Sequence, residues 1–238
     1  MLIKVCGVHG PSAEHDLDTL AAAGVDLVGL WHGVPGGEAD LRGAALVRLA
    51  AAAREREVEP VMVTFENDAA SMARALVTSG VTWLQLHAFQ LPRVVTELRA
   101  ALRHTRVTIV KVLHVRDGRC LDARLAAAYE RAGVDAFLLD ASTGDGRVGS
   151  TGVPIAPDAA AAVASRLDRP FLLAGGLTAR SRPEYEELTC LDGFVGVDVS
   201  TGARDRHGRL NARRIEAMAR TWRGGLTEGG CLASLTHS

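Results

Sequence analysis

Two kinds of segment alternate along nearly the whole chain. Short apolar runs rich in Val, Ile, Leu and Phe stand at 2–7, 26–31, 59–65, 82–87, 107–115, 136–140, 171–176 and 194–200. Among them lie stretches at 12–23, 39–57, 68–79, 91–103, 122–132, 157–167, 179–188 and 211–222, built from Ala, Leu, Arg and Glu with apolar residues three or four apart. The first kind has the continuous apolar character of strands buried on both faces, and the second has the period of amphipathic helices. Several helical stretches end on a glycine suited to a C-cap, as in AAAGVD (21–26), TSGV (78–81) and RAGVDAF (131–137). Strand–helix alternation calls for a parallel sheet, and eight units is the number that closes a (β/α)8 TIM barrel. An open doubly wound sheet shares the same local pattern but has no reason to stop at eight. No linker interrupts the alternation, so residues 1–223 are expected to form a single α/β domain. The aperiodic segment 224–238 is expected to be a flexible C-terminal tail.

Composition narrows the function classes. An apolar share of 47% supplies a substantial core, which a disordered or disulfide-stapled chain would lack. With 27 basic against 28 acidic residues the net charge is −1, and there are only ten aromatic residues. Neither a basic face nor interleaved aromatics point to nucleic acid or to an acidic membrane surface. The apolar runs fall short of the ~20 residues of a membrane span, and MLIKVCGVHG lacks the layout of a signal peptide. Cys6, Cys120, Cys190 and Cys231 are scattered with no C-x-x-C spacing, so a reduced cytoplasmic protein is expected.

In such barrels chemistry is built where strands end at their C-terminal side. Those positions are Cys6 and Gly7, Trp31 and His32, Phe65 and Asn67, Gln85 and His87, Lys111 and His114, Asp140, Gly175 and Gly176, and Asp198 with Ser200. Three glycine-bearing turns follow the last three strands: Gly149, Ser150, Thr151 and Gly152; then Gly175 and Gly176; then Ser200, Thr201 and Gly202. Backbone N–H groups at this end of a barrel are placed to bind a phosphate, and the hydroxyls add donors. Cys6 and Asp140 form the candidate catalytic pair, on strands expected to face each other across the mouth. A thiolate can take a proton from carbon, and a carboxylic acid can protonate a leaving oxygen. Alone, the cysteine would read as a small buried hydrophobe and the aspartate as a turn cap. Lys4, His32, Gln85, His87 and Asp198 are candidate substrate contacts.

Taken together, these motifs resemble the phosphoribosylanthranilate isomerase family. KVCGV (4–8) resembles its opening strand and GVDLVGL (24–30) its second; LQLHA (84–88) is similar to its Gln-Leu-His-Gly signature, with Ala88 in place of glycine. FLLDAS (137–142) with the following GSTG, LLAGGL (172–177) and VDVSTG (197–202) resemble its acid-bearing segment and phosphate-binding turns. The resemblance implies an Amadori rearrangement of a small phosphorylated sugar-amine, with Cys6 as general base, Asp140 as general acid, no cofactor and no metal, in a monomer or homodimer. It departs in two places. The family carries a Ser-Pro-Arg type motif after the second strand, whose arginine contacts anthranilate. Here the segment is LWHGVPGGEADL (30–41), with no arginine before Arg42. Arg204 also stands where the family has glutamate. These departures leave open the same chemistry on a different amine, or anthranilate bound from another direction by Arg204, Arg147 or His32. A non-catalytic relative that binds a phosphometabolite is a further alternative. So is a metal-dependent barrel hydrolase using His32, His87 and His114.

Overall fold

The structure is a computed structural model, and it describes residues 1–142 and 152–224. Among these, eight parallel strands form the barrel: β1 (Leu2–Cys6), β2 (Leu27–Trp31), β3 (Glu59–Thr64), β4 (Trp83–Leu86), β5 (Thr108–Arg116), β6 (Ala136–Ala141), β7 (Phe171–Leu173) and β8 (Phe194–Val199). Each pairs with its neighbours in chain order. The ring closes through β1 on β8, where Lys4 lies opposite Asp198, and no open edge remains among these strands. The helices between strands are α1 (Ala13–Ala22), α2 (Ala44–Glu55), α3 (Ala69–Ser79), α4 (Pro92–Ala101), α5 (Ala126–Ala132), α6 (Pro157–Ala164), α7 (Glu186–Thr189) and α8 (Ala212–Gly224). Eight β/α units therefore do close a TIM barrel in a single domain, and the open sheet is excluded.

Strand alternation divides the core in two. Outward side chains such as Ile3, Val28, Met62, Leu84 and Leu139 pack beneath the helices in one large cluster. Inward ones such as Val61, Val110, Leu138 and Leu172, with Trp83, plug the interior around a small void that Lys4 and Gln85 also line. The interior is a packed core and not a channel, so only the rim can hold a substrate.

Boundaries depart from the sequence expectation where backbone chemistry intervenes. The stretch 39–43 is loop: Gly43 holds φ 49° at the start of α2, and Ala39 and Leu41 are buried as loop anchors instead. The stretch 179–188 begins as a 3-10 helix over Ala179–Tyr185, because Pro183 has no N–H to continue an α-helical ladder, and only four residues of α7 follow. Past β5 the chain folds back as an unexpected two-residue antiparallel strand, Arg119–Cys120. Gly224, expected to open the tail, is the last residue of α8. Residues 225–238 lie outside the described residues. No helix among those described is long and apolar enough to cross a membrane.

Trp222 ties the end of the helix ring together. It is fully buried on α8, donates Nε1–H to the Thr178 carbonyl at 3.0 Å and packs against Tyr185. Removing a buried indole leaves a cavity and an unpaired carbonyl. Trp222→Ala is therefore expected to lower unfolding stability by about 3–5 kcal/mol, read as a shift of the urea midpoint, whereas a change under about 1 kcal/mol would show that the ring does not depend on this contact.

Candidate active site

The inward face of β1 carries Lys4 and Cys6, and β8 sets Asp198 beside Lys4. Lys4 Nζ lies 2.5 Å from Asp198 Oδ2 and 2.8 Å from Cys6 Sγ, while Sγ lies 3.6 Å from the same carboxylate oxygen. All three side chains are buried. Gly29, paired with Cys6 across β1 and β2, makes room for the sulfur: a Cβ there would collide with Sγ. Burial pushes the thiol pKa up to about 12, the Asp198 charge adds to that, and the Lys4 ammonium opposes it. For Lys4 burial works against the charged form, but Asp198 and Cys6 outweigh it and its pKa is raised. The resting arrangement is thus an ammonium–carboxylate pair beside a neutral thiol. Asp198 Oδ1 is buried and has no hydrogen-bond partner among the described residues.

Asp140 ends the inward face of β6. Its Oδ1 accepts from the Ala141 amide at 2.9 Å, which turns the other oxygen toward His87, whose Nε2 is 3.4 Å away. That contact is close but not aligned as a hydrogen bond, and Nε2 has no other partner among the described residues. Gln85 fixes the ring from behind, with Nε2 at 2.8 Å from His87 Nδ1, and Phe65 stacks on it. With Nδ1 accepting from the amide, the remaining ring proton sits on Nε2 and faces Asp140. The strands of Cys6 and Asp140 are not opposite, as expected from sequence: β6 lies three places from β1 around the ring, through β8 and β7. The two groups flank the same arc of rim as the glycine turns.

Those turns meet in space. Gly152 lies against Thr201, with 3.8 Å from the Cβ direction to Oγ1. Gly176 backs onto Gly152: a Cβ there would stand 2.5 Å from the Gly152 carbonyl oxygen, and φ of +58° suits glycine besides. Gly202 presses in the same way on the Leu177 carbonyl, and Gly175 on Ala141. Backbone approaching backbone this closely leaves no room for side chains at these positions. Of the first turn, Gly149, Ser150 and Thr151 lie outside the described residues. Ser200 and Thr201 open a short 3-10 turn, Thr201–Ala203.

Other sequence candidates fall away from this cluster. Lys111 is not at the rim: it points outward from the middle of β5, donates to the Ala88 and Val112 carbonyls and lies over the Tyr129 ring, with burial lowering its pKa to about 8. His114 is held between Asp122 and the His87 carbonyl, and His32 Nδ1 engages the Leu41 carbonyl at 2.7 Å. The three histidines named for a metal site thus have separate partners, and among the described residues no three His, Cys, Asp or Glu side chains converge as metal ligands. Arg42 is turned to solvent, 88% exposed beside Asp40. Arg204 is bonded to the backbone carbonyls of Cys6 and Gly7 and is not turned to a substrate carboxylate. Arg147 lies outside the described residues. Sequence reasoning missed the roles of Gly29 and Arg204. The strand alignment that sets Gly29 opposite Cys6 was a readable signal for the first, and nothing in the local sequence signals the second.

Comparison with known proteins fits this geometry. The family model described as "PRAI: N-(5'phosphoribosyl)anthranilate (PRA) isomerase" matches residues 43–220. N-(5'-phosphoribosyl)anthranilate isomerase of Paramagnetospirillum magneticum is 30% identical over 225 residues, covering 94% of this chain and 97% of the relative. N-(5'-phosphoribosyl)anthranilate isomerase 2 of Methanosarcina mazei is 30% identical over 216 residues, covering 90% and 91%. Among solved structures, phosphoribosyl anthranilate isomerase from Thermococcus kodakaraensis superposes with a TM-score of 0.71 at 25% identity, over 93% of this chain and 98% of that one. The enzyme from Thermus thermophilus gives 0.73 at 18% identity over 94% and 99%, a likeness of fold alone. With a matching family model over most of its length and relatives aligned nearly end to end, the chain belongs to the phosphoribosylanthranilate isomerase family.

Proposed function

We propose that this protein converts N-(5'-phosphoribosyl)anthranilate into its aminoketose by an Amadori rearrangement, in the cytoplasm, as a monomer or homodimer. The observation that carries the reading is the buried thiol of Cys6 set beside an ammonium–carboxylate pair at the barrel rim. Asp140 donates a proton to the ribose ring oxygen, the C1'–O bond breaks, and the amine nitrogen supplies the electrons for a protonated Schiff base. Cys6 then removes the C2' proton, the electrons pass to the nitrogen, and the resulting enol-amine tautomerises to the ketone. Nothing is oxidised or reduced overall, and no cofactor enters.

The charges around Sγ account for how a thiol of high pKa serves as a base. Asp198 Oδ2 is in reach of the S–H proton, and the thiolate left behind would be paired with Lys4 at 2.8 Å. A dry thiolate is a stronger base than a hydrated one, so burial supplies basicity while the ammonium pairs with the thiolate's charge. At the acid end, His87 Nε2–H faces Asp140 and would stabilise the carboxylate left there after ring opening. The turns at Gly152, Gly175–Gly176 and Ser200–Gly202 would cradle the 5'-phosphate through backbone amides. The aglycone end has no arginine from the segment after β2 to fork onto a carboxylate.

Three outcomes are expected. Cys6→Ala and Asp140→Asn should each lower kcat by about 10²- to 10⁴-fold in a fluorescence assay of anthranilate-type substrate loss. Unchanged turnover in either would remove that residue from its role. Because the thiol pKa is raised, alkylation of Cys6 by iodoacetamide should keep accelerating as pH rises through neutrality into the alkaline range. A plateau near neutral pH would contradict the assignment. Lys4→Met removes the one charge that favours the thiolate, and should slow alkylation at fixed pH by about tenfold or more, equivalent to roughly 1.4 kcal/mol.

A further inference from the structure

Arg204 reaches across the β8–β1 seam to the backbone of the residue proposed as the base. Its Nη2 donates to the Cys6 carbonyl and to the Gly7 carbonyl, each at 2.9 Å, and Nη1 donates to the Gly208 carbonyl at 2.9 Å. Two consecutive carbonyls can turn toward one donor only because Gly7 holds φ +85°. A Cβ at Gly7 would also stand 3.1 Å from Nη2. The backbone of Arg204 is itself anchored. Its N–H donates to the Thr201 carbonyl at 3.1 Å, its carbonyl accepts from Arg214 on α8 at 2.8 Å, and it forms an antiparallel bridge to Leu210. Arg204 therefore starts from the short turn that follows Ser200 and ends on the peptide that carries the sulfur.

We infer that Arg204 is a positioning residue that fixes the Cys6 thiol relative to the phosphate-binding turn at Ser200–Gly202. The inference rests on the reading of Cys6 as base and of that turn as phosphate cradle. The sulfur must meet one C–H bond of a substrate anchored by its phosphate several bonds away. An error of the order of 1 Å in that separation can cost about 10²-fold in rate. Strand pairing locates Cys6 on β1, but the carbonyls of Cys6 and Gly7 lie where the ladder to β8 has ended, since the last β1–β8 partners are Val5 and Val199. Beyond that point the guanidinium takes over the link between the two strand ends. A lysine has no planar fork and can reach fewer of these carbonyls at once, and a glutamate has no donor to offer them.

The test compares Arg204→Lys and Arg204→Ala with the parent enzyme and with Cys6→Ala. The expected result is a fall in kcat of about 10²-fold for Arg204→Ala with KM for the phosphoribosyl substrate little changed. Arg204→Lys should be intermediate, and added guanidinium ion should partly rescue the alanine variant. Inorganic phosphate should stabilise all of them against heat to the same extent. Unchanged kcat in both Arg204 variants would overturn the inference. So would a rise in KM alone, which would make Arg204 a substrate contact, or loss of folding in both variants, which would make it a structural brace. If Cys6→Ala stays active, the reading of Cys6 as base fails, an outcome separate from any result at Arg204.

Discussion

The ion pair between Lys4 and Asp198 spans the seam at which the barrel closes and sets the charges around the Cys6 sulfur with the same two side chains. It joins the first strand to the last, and it is buried on both sides. A buried pair gives up the hydration of two charges, so it is a costly way to hold strands together, and an apolar pair would do as well or better. What an apolar pair could not do is set the charge beside a sulfur. The ammonium lies between the carboxylate and the thiol, where it would pair with the charge of a thiolate in the interior. The strands bring the groups together, and the packed interior beneath them confines the reaction to the rim.

The rest of the site follows from that seam. The turns after β6, β7 and β8 stack backbone against backbone through Gly152, Gly175, Gly176 and Gly202, which brings three consecutive units together along one arc of the rim. Asp140 ends the strand at one side of that arc and Cys6 the strand at the other. A substrate held by its phosphate in the middle would present its ring oxygen to one and its C2' hydrogen to the other. The longer arc of the rim, from β2 to β5, carries Trp31, Phe65, His87 and Phe89.

Much of this was legible in the sequence, and the reasons differ by level. The barrel is announced by eight apolar runs alternating with helical stretches, and burial on both strand faces makes those runs hard to mistake. The rule that barrels place chemistry at strand ends picked out Cys6, His87, Asp140 and Asp198, and the structure sets Cys6 beside Asp198 and His87 beside Asp140 at the rim. Lys111 was misplaced by the same rule: one residue of strand register decides whether a side chain faces the interior or the helices, and Lys111 falls on the outward parity. The helix over 39–43 failed because apolar residues there anchor a loop, and periodicity cannot tell loop anchors from a helix face. Arg204 was left open as one of three alternative contacts for anthranilate because sequence shows the charge and not the carbonyls it serves.

The central claim, that the Cys6 thiol removes the C2' proton, is tested most directly by single-turnover kinetics with substrate deuterated at C2'. The account predicts a primary isotope effect in the parent enzyme and no turnover on that time scale once Cys6 is replaced by alanine. A Cys6→Ala enzyme that turned over at the parent rate with the same isotope effect would show that another group takes the proton, and would contradict the account.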